Sequence, residues 1–226
     1  MPFMPGKPPK WNQLINLYKK LENNPNKTFG RSIRKDKPYV RVVRLGKSTI
    51  TIKSQRTNHF PVLQIKALKR YYKGLSRKKS SKYALRKLKQ YFATKTHYVY
   101  EYIGAPDAEI LGDYLSGKIK SDVLCRRALR TFEKQRPDLF KGLSKLEKTA
   151  VHRFGRMVGE AIEELKVHAA EVAQEMEFER YPDLSRNNFL VVGMEPNSDR
   201  IILSIKDQPW PSILGGKKDS GMNPTI

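Results

Sequence analysis

Between Leu146 and Met176, apolar residues recur at alternating steps of three and four: Leu146, Ala150, Phe154, Val158, Ala161/Ile162, Leu165, Ala169, Val172 and Met176. That spacing is the signature of one helix with one apolar stripe. Ser144 and Glu147 have the spacing of a capping box, so the helix is predicted over 144–179, about 50 Å long at 1.5 Å per residue. A stripe of that length must be covered, by the rest of the chain or by a second copy. The sequence therefore predicts a helical body organised around this element, with a possible homodimer through it. Gly155 and Gly159 on the same helix suggest a place where another helix comes close.

The second constraint is where the charge lies. The net charge is +23 over 226 residues. Residues 1–100 hold 26 Lys and Arg against two acids, Glu22 and Asp36, and the remainder is close to neutral. Such a concentration repels itself and implies a polyanionic partner, nucleic acid first. No run of about 18 apolar residues is present, so no membrane partner is expected. The N-terminal stretch lacks an apolar core of the secretory kind, and the one cysteine, Cys125, excludes an internal disulfide framework. These features predict an intracellular protein.

The pattern of elements gives an α+β chain. Residues 1–10 read as a flexible arm, and 11–102 as a basic nucleic-acid-binding module. Residues 103–206 read as a neutral helical core and oligomerisation module, and 207–226 as a tail. In the basic module, a helix over 11–21 precedes a β-hairpin over 39–53 turning at Gly46-Lys47. Two helices follow, 61–74 and 83–92, joined by a basic turn at 76–80, an outline that suits a helix-turn-helix. A strand is predicted over 96–102. In the second module, Asp107 starts a short helix, Asp122 starts another that stops at Pro137, and two strands, 189–193 and 200–206, flank a turn at Pro196-Asn197-Ser198-Asp199.

The function these features predict is non-enzymatic nucleic-acid binding, to duplex DNA in preference to RNA, in a regulatory or architectural role. Two basic clusters would neutralise phosphates. The hairpin cluster is Arg31, Arg34, Lys35, Lys37, Arg41, Arg44, Lys47, Lys53 and Arg56. The helix-pair cluster is Lys69, Arg70, Lys73, Arg77, Lys78, Lys79, Lys82, Arg86 and Lys87. Interleaved aromatics, Tyr71, Tyr72, Tyr83, Tyr91, Phe92, Tyr98 and Tyr100, could pack in the core or stack on bases. An RNA-packaging role is a second alternative. A third is a magnesium-dependent endonuclease. Pro182-Asp183 and Lys206 then have the order of a nuclease core, with Glu195 or Asp199 as the further carboxylate that Ser204 does not provide. Outside that alternative no metal or cofactor is expected. His59, His97, His152 and His168 show no helical ligand spacing, and no phosphate-binding P-loop is present.

Overall fold

The computed structural model describes residues 8–25, 29–32, 40–54, 69–94, 96–176 and 184–206. The arm before residue 8, the tail after 206, and Arg34, Lys35, Lys37, Arg56 and Asp183 lie outside them.

Two hydrophobic clusters organise the chain. The smaller belongs to an antiparallel five-stranded sheet. Helix α1 (Trp11–Asn23) lays Leu14, Leu17 and Leu21 inward. Strands β1 (Arg31–Ser32), β2 (Val40–Leu45) and β3 (Ser48–Ser54) follow as the predicted hairpin with a short edge strand. With β5 (Gln90–Ala93) and β6 (His97–Glu101) they give the order β1-β2-β3-β6-β5. Leu17 and Leu21 pack on Ile50, Ile52 and Val99 from one face of this sheet. The period-two alternation of β3 produces that face.

Residues 102–106 lead from β6 into the helical body. That body comprises α3 (Ala108–Leu115), α4 (Val123–Gln135), α5 (Pro137–Phe140) and the long α6 (Lys148–Glu175). A second sheet of order β4-β8-β7 lies on it, built from β4 (Tyr83–Leu85), β7 (Phe189–Met194) and β8 (Ile201–Ile205). The α6 stripe is buried from Ala150 to Ala173, in one cluster with Phe132, Phe140, Phe189 and Leu203. Phe154 lies 4.6 Å from Phe132 and 5.2 Å from Phe140, ring centroid to ring centroid, in the tilted and edge-on geometries that aromatic rings prefer. The chain thus covers the stripe itself and needs no second copy to do so.

The structure corrects four readings. Residues 83–92 are not a helix. Their apolar residues fit two periods, and strand partners decide between them: β4 pairs in parallel with β8, from Tyr83↔Ile201 to Leu85↔Leu203, while β5 pairs with β6. The helix-turn-helix outline therefore does not form. The described part of the preceding helix, α2 (residues 69–75), runs past Gly74, which packs on α6 rather than closing a turn. A Cβ on Gly74 would stand 2.6 Å from Val172 Cγ1. The capping box at Ser144 does not form either. Leu143–Lys145 is a 3-10 turn, Leu146 is left-handed at φ 55°, and α6 starts only at Lys148. Finally, Gly155 and Gly159 admit no close helix, since a Cβ on either would meet nothing within 4 Å.

Candidate functional site

The open end of the β7–β8 hairpin is built by local rules. Phe189 pairs with Ile205, so the residue before β7 and the residue after β8 meet. The Lys206 N–H donates to the Asn188 carbonyl oxygen at 2.7 Å. Asn188 ends a 3-10 turn, Arg186–Asn188, and is 8% exposed. Its amide nitrogen donates to Ser185 Oγ at 3.2 Å. In sequence, Asp183 stands five residues before Asn188, and Asp207 directly follows Lys206.

This end is fastened to the start of α3. Asp107 caps α3 by accepting from the Ile110 N–H at 2.9 Å, and its other oxygen takes Lys206 Nζ at 3.0 Å. The Val191 N–H donates to the Pro106 carbonyl. α2 is bonded to the same end and to α6: Tyr72 Oη donates to the Ile205 carbonyl of β8 at 3.0 Å, and Tyr71 Oη to the Ala169 carbonyl of α6 at 3.3 Å. Burial pushes both phenols well above the usual tyrosine range, so both stay protonated as donors.

On the five-stranded sheet, Val40, Lys53 and Tyr98 share one row, and Val42, Thr51 and Tyr100 the next. Tyr100 packs against the large cluster of the helical body. Lys53 is therefore on the sheet face opposite α1, turned toward that body. At the end of β6, Glu101 is nearly buried. It accepts from Arg86 Nη2 and from the Lys89 N–H, both at 2.8 Å, and so fixes the point where the sheet passes into the connector.

Two open concavities flank α6. One, of about 540 Å³, lies between α3 and α6 and is lined by Gly112, His152, Gly155, Arg156 and Arg186 among others. The second, of about 430 Å³, adjoins it through His152 and Arg156 and adds Lys148 and Arg153.

Among the described residues, the predicted basic site does not assemble. Arg41 is opposite Ile52 and Arg44 opposite Thr49, so the two arginines of β2 emerge on opposite faces. Arg41 donates to the Gly30 carbonyl and Arg44 to that of Gly46. In the second cluster, Lys78 meets Glu171 and Glu175 on α6, at 2.9 and 2.8 Å, and Lys82 meets Glu160 at 2.9 Å. Arg86 is held by Glu101. Lys78 accordingly titrates above its ordinary value, through the hydrogen bonds it donates to Glu175 and then Glu171. Arg31, Lys47, Lys69, Arg70, Lys73, Arg77, Lys79 and Lys87 are exposed but are distributed over both bodies. Tyr71, Tyr72, Tyr83 and Tyr98 are core residues, closed to base stacking.

The described members of the nuclease set, Glu195, Asp199 and Lys206, also separate. Glu195 pairs with Arg200, and Asp199 with Arg136 at 2.7 Å, both beside the hairpin turn. Lys206 is at the other end of β8, roughly 17 Å away along five strand residues. Among the described residues, no three His, Cys, Asp or Glu side chains gather to hold a metal. No helix among them is long and apolar enough to cross a membrane.

Comparison with known proteins adds little. No protein-family profile matches the chain, and no curated protein matches it. One solved structure does, the ternary complex of streptomycin, ATP and the phosphotransferase APH(2″)-IIa. It matches at 13% identity over 87% of this chain and 72% of that one, with a TM-score of 0.28, too low for an argument about fold or function. The expectation of a DNA- or RNA-binding module, with its nuclease alternative, is corrected on the fold itself. The helix pair is absent, its central cations Lys78, Lys82 and Arg86 are neutralised within the fold, and Glu195 and Asp199 are paired elsewhere.

Asn188, Arg156 and Arg186 were not among the predicted site residues. The signal for Asn188 was its place five residues after Asp183, immediately before a strand; the signal for the two arginines exists only in three dimensions.

Proposed function

We propose that this chain binds a nucleoside triphosphate with a divalent cation between its five-stranded sheet and its helical body, and transfers the terminal phosphoryl group as protein kinases do. The observation that carries the reading is the closed register at the open end of the β7–β8 hairpin. It sets Asn188 beside Lys206, and thus beside the position that Asp207 follows in sequence. An Asp-Leu-x-x-x-Asn element before a strand pair and an Asp after it is the kinase arrangement for the catalytic base and the cation ligands. Here it reads Asp183-Leu184-Ser185-Arg186-Asn187-Asn188, then Asp207. The third strand of the sheet supplies Ile50-Thr51-Ile52-Lys53, where kinases carry Val-Ala-Ile-Lys.

The donor set fits a hard cation. An amide oxygen and a carboxylate suit magnesium, and the Ser185 contact fixes the Asn188 amide. A bound cation would neutralise phosphate charge. In this reading Lys53 holds the non-transferred phosphates, and Asp183 takes the proton of the attacking hydroxyl. The sequence departs from kinases in three places. Arg34, Lys35 and Lys37 replace a glycine-rich loop after β1, Tyr181-Pro182 replaces His-Arg, and Gln208 follows Asp207. These positions govern how phosphates are covered and how the loop is held, while the cation ligands, lysine and base are all present.

Calorimetric titration with Mg-ATP tests the reading. Wild type binds ATP only with the cation; Asn188→Ala and Asp207→Asn lose the cation dependence, and Lys53→Met weakens binding. Equal binding with and without magnesium, or none at all, refutes it.

A further inference from the structure

Among the described residues, the groove between α3 and α6 carries more cations than carboxylates. Across the two adjoining concavities, the described lining sets Lys118, Lys148, Arg153, Arg156 and Arg186 against two carboxylates, Glu109 and Asp113. Asp113 already pairs with Lys118, at 3.3 Å. Some exposed or half-buried cations elsewhere on the fold meet acids, Lys78, Lys82, Arg136 and Arg200 among them. Among the described residues, Arg153, Arg156 and Arg186 have no carboxylate within ion-pair distance. The sequence also keeps the groove open. Gly112 on α3 and Gly155 on α6 line it, and a Cβ on either would project into empty space. The larger concavity, of about 540 Å³, is in the range of small-molecule sites. A planar guanidinium suits phosphate or carboxylate through two parallel hydrogen bonds.

Arg186 links this groove to the proposed catalytic segment, since it lies three residues after Asp183 and two before Asn188. We propose that the groove holds the acceptor of the transfer reaction, a small hydroxylated molecule bearing a phosphomonoester or carboxylate that Arg156 and Arg186 grip. This rests on the phosphotransfer reading. In the step it implies, the acceptor hydroxyl oxygen forms a bond to the terminal phosphorus. The bond from that phosphorus to the bridging oxygen breaks, the nucleoside diphosphate leaves with the electron pair, and the hydroxyl proton passes to the Asp183 carboxylate.

The test is calorimetric titration of the full chain, at constant ionic strength, with glucose 6-phosphate, gluconate and glucose. Glucose 6-phosphate or gluconate binds and glucose does not, and the stronger of the two anions tells phosphomonoester from carboxylate. Arg156→Ala and Arg186→Ala each weaken that binding about tenfold or more, the loss expected for one charged hydrogen bond. Arg156→Lys, which keeps the charge without the fork, recovers part of it. Circular dichroism on each variant separates lost binding from lost folding. Anion binding that is absent, or unmoved by either substitution in a folded variant, overturns the proposal. Mg-ATP titration of the same samples reports on the underlying reading. Mg-ATP binding without anion binding removes only the acceptor site, whereas failure of Mg-ATP binding removes the phosphotransfer reading itself.

Discussion

Replacing Glu101 with Ala removes the fastening between the five-stranded sheet and the connector. The carboxylate accepts two hydrogen bonds, one from the Arg86 guanidinium and one from the Lys89 N–H, each 2.8 Å. The side chains of Arg86 and Glu101 are 21% and 10% exposed. Breaking a buried pair from one side costs about 3–5 kcal/mol, because the remaining charge stays desolvated. Water reaches part of Arg86, which places the expected cost near the lower end, about 3 kcal/mol. Glu101→Gln keeps an acceptor for the Lys89 N–H and gives up the charge assistance, so it should cost about 1–2 kcal/mol. For a chain of this length, 1 kcal/mol moves Tm by about 2–4 °C, so the alanine variant should melt roughly 6–12 °C early. Urea denaturation followed by circular dichroism measures both variants. Arg86→Leu combined with Glu101→Leu should recover part of the loss, since neither charge is then stranded. A loss below about 1 kcal/mol for Glu101→Ala would refute the reasoning: the carboxylate would then be a solvated surface group.

Three further outcomes follow from the packing and the charges. Phe154→Ala empties the junction of three rings in the helical body and should cost about 3–5 kcal/mol by urea denaturation, with Phe154→Leu costing less. Asp107→Ala removes the α3 cap and the Lys206 partner together. It should cost about 2–3 kcal/mol, and Asp107→Asn, which keeps the cap, about 1 kcal/mol, read from the same melts. His97 is 2% exposed and its imidazole is held below the usual histidine value, chiefly by burial. Its folded state binds fewer protons than the unfolded chain, so its stabilisation is complete above about pH 6.5 and is lost as pH falls toward and through its folded value. Melts between pH 5 and 7.5 should show this slope in wild type and a shallower one in His97→Gln.

Much of the fold was legible. The α6 stripe, the β2–β3 hairpin, the Asp107 and Asp122 caps and the β7–β8 pair all follow from local pattern, because their decisive partners are near in sequence. What failed depended on distant partners. Tyr83, Leu85, Leu88, Tyr91 and Phe92 satisfy a helical spacing, but β4 is a strand because β8, more than a hundred residues later, accepts it. Ser144 and Glu147 have the spacing of a cap, yet Glu147 reaches back over Gly142 and the Ser144 N–H bonds to Glu133 Oε1. The charge argument failed in the same way. Counting along the chain separates a basic half from a neutral one, but folding brings Glu160, Glu171 and Glu175 of the neutral half onto Lys82 and Lys78 of the basic half. In the proposed site, Lys53 and Asp183 carried sequence signals of their own, although those signals pointed to other chemistry. Asn188 gained its meaning only from the register that sets it beside Lys206.

The most direct test of the account follows loss of the terminal phosphate of ATP under single-turnover conditions, with magnesium and with chelator, for wild type and Asp183→Asn. The account predicts turnover that requires magnesium and falls by about a hundredfold or more in the variant, as the loss of a general base gives. Turnover absent from wild type, or equal in both proteins, would contradict it.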